Sequence, residues 1–424
     1  MTLDRRNFIK LLGSVSGLAM AGCASPGGLA GPTGGRRVVV VGGGYGGTIA
    51  AKYIRMLDSS IEVVLIERND HYVSCPFSNL YIGGILKDLT PLTIRYDKLV
   101  SNHGIKFMQA EVTGVDAAKK VVMTSGGDVS YDRMVVSPGI DFRFEELQGY
   151  DPATTPEIMP HAWKAGPQST LLRNQLDGMK DGGTVVLSIP LGPFRCPPGP
   201  YERASLIAHY LKQHKPKSKI IVLDANPDIV SKGPLFKKGW KKHYDGMIDY
   251  RGAKKVTVVD TKNMSVQVEG IEPVHGDVIN VIPPQRAADL AVHAGLVGPD
   301  KKWCPVDATT FESTLRKGIH VIGDASIAGA MPKSGYSANS EAKVCAINLV
   351  AMMNGKEVTE LSGINTCYSF ITNKEAVSVA AVYKVAAGNI VSVPNSGGVS
   401  PDLSELEAVY AESWLRNILT EMST

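Results

Sequence analysis

Arg36-Arg37-Val38-Val39-Val40-Val41-Gly42-Gly43-Gly44-Tyr45-Gly46-Gly47 is the stretch from which the rest of the chain can be read. Four consecutive valines behind a basic pair predict a strand buried on both faces of a parallel sheet. The glycines that follow fall into G-x-G-x-x-G register at Gly42, Gly44 and Gly47. A helix is expected over residues 48–57 and a second strand over 61–66, ending at Glu67. Strand, glycine turn, helix, strand and acid in that order make a dinucleotide-binding unit. The glycines let the backbone approach a pyrophosphate at the helix N-terminus. Glu67, 20 residues beyond Gly47, stands where a carboxylate can bind the adenosine ribose hydroxyls. A plain glycine loop would explain the motif alone, but not the ordered set.

Upstream, Arg5-Arg6-Asn7-Phe8-Ile9-Lys10 precedes an apolar stretch over residues 11–21 and a Gly/Pro/Ala tract ending near Gly35. This order reads as a twin-arginine export signal, a route used by proteins that fold around a cofactor before export, and it predicts a periplasmic protein. The apolar stretch is shorter than the roughly 20 residues that span a bilayer. Cleavage is expected after Ala21 or later in the tract. Cys23, with Met20 where a leucine is usual, also resembles a lipoprotein acylation site. Losing the leader removes Arg5, Arg6, Lys10 and Asp4, a net +2 of the formal +4. The remainder is close to neutral, which argues against nucleic acid or an acidic membrane surface as the main partner. No later segment reaches transmembrane length. About 390 residues remain, enough for two or three domains.

Two further segments extend the reading. Tyr131-Asp132-Arg133-Met134-Val135-Val136-Ser137-Pro138-Gly139 resembles the strand-and-glycine segment of flavoproteins with two dinucleotide-binding domains. Gly318-Ile319-His320-Val321-Ile322-Gly323-Asp324 resembles their second flavin fingerprint. The resemblance implies FAD, with Gly139 and Gly323 beside it and Asp324 on its ribityl chain or phosphate. The implied fold class is α/β: a glutathione-reductase-like flavoprotein with two dinucleotide-binding domains and a C-terminal α+β interface domain. The expected divisions are a signal and linker (1–35), an FAD domain in two pieces (36–154 and 285–355), a second Rossmann-like domain (155–284) and a C-terminal domain (356–424). That second domain is read from a strand over 184–189, a helix over 201–211 and a strand over 219–223 ending at Asp224. Where related enzymes carry a glycine motif for NAD(P)H, this chain reads Pro190-Leu191-Gly192-Pro193-Phe194-Arg195-Cys196-Pro197-Pro198-Gly199-Pro200. Proline lacks the N–H needed to cradle a pyrophosphate, so NAD(P)H is not expected to bind.

Five of the six cysteines lie beyond the leader: Cys75, Cys196, Cys304, Cys345 and Cys367. None belongs to a C-x-x-C or C-x-x-C-H motif, so no c-type haem is expected on this chain, and no metal site either. Cys304 and Cys345 read as buried structural residues. Any of the others could by default be structural as well.

Longer blocks narrow the family. They are Phe194-Arg195-Cys196-Pro197-Pro198-Gly199-Pro200-Tyr201-Glu202-Arg203, Asn280-Val281-Ile282-Pro283-Pro284-Gln285-Arg286-Ala287, Trp303-Cys304-Pro305-Val306-Asp307, Met331-Pro332-Lys333-Ser334-Gly335-Tyr336 and Asn365-Thr366-Cys367-Tyr368-Ser369. With them the chain, from Arg36 onward, resembles the flavoprotein subunits of flavocytochrome c sulfide dehydrogenases, relatives of the sulfide:quinone oxidoreductases. The resemblance implies a thioether from Cys75 to the flavin, although Pro76-Phe77 replaces the more usual aromatic–leucine pair. It also implies a redox disulfide between Cys196 and Cys367, which lie 171 residues apart, so that spacing alone does not pair them. HS⁻ would attack that disulfide, leaving a persulfide and a thiolate. Two electrons would pass to FAD and on to a separate c-type cytochrome subunit, and zero-valent sulfur would leave as polysulfide.

Three residues carry two readings each. Glu202 is a general acid–base candidate if burial raises its pKa, or a helix-start carboxylate favoured by the dipole. Lys333 stabilises charge on reduced flavin, or is a surface lysine. Trp414 packs by the flavin, or in the core. Two other functions stay open: a sulfide:quinone oxidoreductase-like enzyme, and an accessory flavoprotein that binds a carrier protein of a thiosulfate-oxidising system. The C-terminal section lacks the basic amphipathic anchor that the first of these would use.

Overall fold

The computed structural model describes residues 36–360 and 362–424. The twin-arginine pair, the cleavage region and Cys23 lie outside the described residues. The valine run forms the strand Arg37–Val41, the centre of a five-stranded sheet. The order is Ile319–Val321, Arg133–Val136, Arg37–Val41, Glu62–Glu67, Lys106–Gln109, all parallel. Both faces of the central strand are covered. Val38 and Val40 pack among Ile49, Ile54 and Ala342 of two helices, while Val39 and Val41 pack with Val122 and Val129 of an antiparallel meander. This double burial is why the strand is uniformly apolar instead of alternating.

The helix after the glycine turn spans Tyr45–Leu57 and starts inside the glycine run, earlier than expected. Thr48 closes its first turn by donating from both N and Oγ1 to the Gly44 carbonyl, at 3.2 and 2.9 Å. A second parallel sheet runs Ile248–Arg251, Lys219–Asp224, Thr184–Ile189, Val278–Val281. Its helix spans Gly199–His214, beginning at the end of the proline run. Pro200 sits in the first turn, where a missing N–H leaves no bond unmade. The helix Gly335–Met353 is capped by Ser334, which accepts from the Ser337 N–H at 3.1 Å.

An antiparallel meander of Ser362–Phe370, Ala376–Ala386 and Asn389–Ser392 follows, closed by the helix Glu405–Ser423. Ser404 caps that helix, with Glu407 in the capping-box position. This C-terminal α+β unit carries Cys367 on its first strand, opposite Val379. Two parallel-sheet units and this terminal unit make the α/β class expected from the sequence. Among the described residues no helix is long and apolar enough to cross a membrane.

Candidate active site

A cavity of about 940 Å³ runs from the glycine turn to Trp414. Gly42, Gly44, Glu67, Cys75, Gly139, Cys196, Glu202, Gly323, Asp324, Cys367 and Trp414 all line it. Gly47 and Lys333 do not. Gly47 lies behind the turn, where a Cβ would stand 1.7 Å from the Gly42 carbonyl oxygen. Gly42 itself has φ +103°. Gly47→Ala is therefore expected to push the turn out of place and reduce flavin content to about a tenth or less. The ratio of visible to ultraviolet absorbance in purified protein measures this, and wild-type flavin content would contradict it.

At the nucleotide end, Glu67 accepts from the Gly43 N–H at 2.8 Å and from the N–H and side chain of Asn69 at 3.0 and 2.9 Å. On the second fingerprint, Asp324 has an Oδ1 that is buried and without a protein partner. Burial raises its pKa, against the opposing charges of Arg195 and Lys333. The strand end that carries it is fixed by Glu341, whose Oε2 accepts from the Gly323 N–H at 2.7 Å and whose own pKa burial raises to about 8. A glycine-lined turn at one end and a carboxylate oxygen lacking a donor at the other fit the diphosphate and hydroxyls of a flavin dinucleotide.

The sulfur end is built from three elements. Cys196 sits on the proline loop in left-handed backbone conformation, φ 57°. Its N–H donates to the Lys333 carbonyl at 2.7 Å and its own carbonyl accepts from Gly199 at 2.8 Å. A non-glycine residue held there costs roughly 1–3 kcal/mol, the kind of strain that clusters at functional sites. Cys367 comes from the C-terminal meander, where its Sγ donates to the Tyr368 carbonyl at 3.8 Å, and it lines the same cavity as Cys196. Both are free cysteines in this structure, and their pairing as a disulfide rests on the resemblance. Cys75, also free, donates from Sγ to the Trp163 carbonyl at 3.6 Å.

Glu202 is buried within this cluster. Its Oε1 accepts from the Phe370 N–H and its Oε2 from Asn79, both at 2.8 Å. Burial pushes its carboxyl up, against those two donors and the cations Lys232 and Arg203. The raised-pKa condition set for an acid–base group is thus met in direction. Trp414 is half-buried on the cavity wall, stacked on Phe77 at a centroid distance of 5.8 Å, with its indole N–H unpartnered.

Lys333 is half-buried and does not line the cavity. Its ammonium donates to the carbonyls of Asp324 and Ser326, at 2.8 and 2.7 Å, and lies 3.8 Å from the centroid of the Trp303 ring. Those acceptors draw the side chain behind the fingerprint, and burial lowers its pKa to about 8. Cys304 and Cys345 are fully buried, as their apolar contexts indicated.

Sequence reasoning missed the buried cations. Arg203 donates to Asn79 Oδ1, to Asn280 Oδ1 and to the His161 carbonyl, each at 3.0 Å, and to the Ala162 carbonyl. Arg195 lines the cavity, donating to the Trp163 carbonyl while its Nε stays unpartnered. Both residues stood in the block around Cys196, but nothing in spacing says which way an arginine points.

Family models match in three places. The pyridine nucleotide–disulphide oxidoreductase model covers residues 36–162, the central model of the sulfide dehydrogenase [flavocytochrome c] flavoprotein chain covers 169–283, and the flavocytochrome c sulphide dehydrogenase flavin-binding model covers 360–422. The sulfide dehydrogenase [flavocytochrome c] flavoprotein chain of Chlorobaculum thiosulfatiphilum is 61% identical over 44 residues, 92% of that relative and 10% of this chain. The chain belongs to the flavocytochrome c sulfide dehydrogenase flavoprotein family. It is an FAD-dependent oxidoreductase. The fold is similar to that of the sulfide:quinone oxidoreductase from Aquifex aeolicus, at TM-score 0.76 and 17% identity over 92% of this chain and 91% of that one. A ferredoxin reductase from Rhodopseudomonas palustris shares it at TM-score 0.64 and 15% identity, over 86% and 91%.

Proposed function

We propose that this flavoprotein oxidises sulfide to zero-valent sulfur, released as polysulfide, and hands the electrons to a c-type cytochrome subunit outside the cytoplasm. The observation that carries this reading is that Cys196 and Cys367, distant in sequence, line the same cavity as the flavin turn. When bound, FAD supplies a two-electron acceptor that can release electrons singly. Gly42, Gly44, Glu67, Gly139, Gly323 and Asp324 would hold it, and Cys75 would tether it.

In the oxidised protein the two cysteines form the disulfide that HS⁻ attacks. The proline loop fixes Cys196 so that it meets Cys367 with little reorganisation. Glu202, protonated more readily than a solvated carboxyl, can give or take a proton beside the pair. Export is supported by the Arg5-Arg6 signal and is tested by fractionation of cells carrying lysine at both positions, which should retain the protein in the cytoplasm.

The electron acceptor separates this reading from its rival. Soluble oxidised cytochrome c should support sulfide turnover at least about tenfold faster than a short-chain quinone. The reverse preference would favour a quinone reductase. Binding to a sulfur carrier with no sulfide turnover would favour the accessory role. For the tether, acid-precipitated wild-type protein should remain yellow, and Cys75→Ser should lose its flavin to the supernatant. Equal release from both would remove Cys75 from the cofactor's attachment.

A further inference from the structure

Lys232 has no part in the chemistry above, yet it is only 4% exposed and its surroundings are unfavourable to it in three ways. Its backbone is left-handed, at φ 59°. It caps the N-terminus of the helix Gly233–His243, the end whose partial charge repels a cation. Among the described residues no carboxylate pairs with it within salt-bridge distance, and a buried ammonium without a counter-charge is costly. Its Nζ donates to the Cys367 carbonyl at 3.3 Å and to Ser369 Oγ at 2.9 Å, both on the strand that carries the cysteine.

We propose that Lys232 divides the roles of the two cysteines, making Cys367 the thiolate and leaving group and Cys196 the sulfur that sulfide attacks. Lys232 is a positioning residue, acting through Cys367. The proposal rests on the sulfide reading for its last step, though not for the division itself. Two cysteine thiols are alike in composition, so the pair cannot choose its own thiolate. The choice falls to the charges around the pair.

Glu202 faces both sulfurs and penalises a thiolate on either. Cys75 faces Cys196, as do Arg195 and Arg203. Arg203 is saturated by two asparagine oxygens and two carbonyls, and Arg195 is shared with Cys75, Asp324 and Tyr72. Lys232 is anchored on the carbonyl of Cys367 itself, and its charge is met by the pair, Glu202 and Glu407. Titration directions agree. The Cys367 thiol is lowered, first by Cys196 and then by Lys232 against burial, while Cys196 is raised by Cys367 and by burial.

The chemistry follows from the lower pKa, since the more acidic thiol leaves faster. HS⁻ forms a new S–S bond to Cys196 Sγ, and the Cys196–Cys367 bond breaks. Its electron pair departs on Cys367 as a thiolate beside the Lys232 ammonium. The proton of HS⁻ stays on the terminal sulfur of the Cys196 persulfide. Sulfide sulfur is oxidised and Cys367 is reduced, so the step balances with the disulfide as the only oxidant.

The test uses the flavin-loaded protein with its disulfide reduced, pulsed anaerobically with iodoacetamide between pH 5.5 and 9.5 and read by peptide mass spectrometry. Cys367 should be labelled ahead of Cys196, with its midpoint below the ordinary thiol value of about 8.5. Lys232→Met should raise that midpoint by about one unit or more, slowing labelling of Cys367 at neutral pH about tenfold, and Lys232→Arg should restore it. Labelling of Cys196 first in the wild type, or an unmoved midpoint in Lys232→Met, would overturn the assignment. If Lys232→Met loses its flavin spectrum, the wild-type order of labelling decides. Sulfide is absent throughout, so a failed sulfide reading and a failed division of roles give different results.

Discussion

Serine at position 367 is expected to slow reduction of the flavin by sulfide about a thousandfold or more, with the visible flavin spectrum retained. A serine oxygen can form no disulfide, so HS⁻ would meet a lone Cys196 thiol, already reduced and unable to accept its electrons. Cys196→Ser should cost as much, and the double variant no more than either, because the two sulfurs act as one unit. Stopped-flow absorbance under anaerobic conditions reads the rate directly. A single serine variant retaining more than about a tenth of the wild-type rate would place the chemistry elsewhere. Retention of the flavin is expected because neither substitution alters the glycine turn, Glu67 or Asp324.

Arg203→Met is expected to lower stability by about 3–5 kcal/mol. The guanidinium is 1% exposed and serves four oxygen acceptors drawn from three separate segments. Methionine approximates the volume but leaves Asn79 Oδ1, Asn280 Oδ1 and two carbonyls buried without donors, each costing roughly 1–3 kcal/mol less whatever relaxation recovers. The effect reaches the site, because Asn79 also orients Glu202. Urea unfolding followed by circular dichroism measures it. A midpoint unchanged from wild type would mean that the network is replaceable by packing.

Local signals made the dinucleotide unit legible. The valine run, the spacing of Gly42, Gly44 and Gly47, and the acid at Glu67 all act within one βαβ unit, where sequence order is spatial order. Asp324 was reached through a short motif of the same kind. Cys196 and Cys367 could be matched only by resemblance, because their meeting depends on how the C-terminal meander packs against the proline loop. Side-chain direction was the harder quantity. Lys333 lies in a stretch that borders the cavity, yet the carbonyls of Asp324 and Ser326 turn its ammonium away. Lys232 sits in an unremarkable Ser-Lys-Gly turn, and only the tertiary structure brings it under Cys367.

The central claim is that this chain takes electrons from sulfide through its cysteine pair. Anaerobic titration of the purified protein with sulfide, following the visible absorbance of oxidised flavin, tests it most directly. The account predicts bleaching complete at about one sulfide per flavin, reversed when oxidised cytochrome c is added. Flavin that stays oxidised in excess sulfide would contradict it.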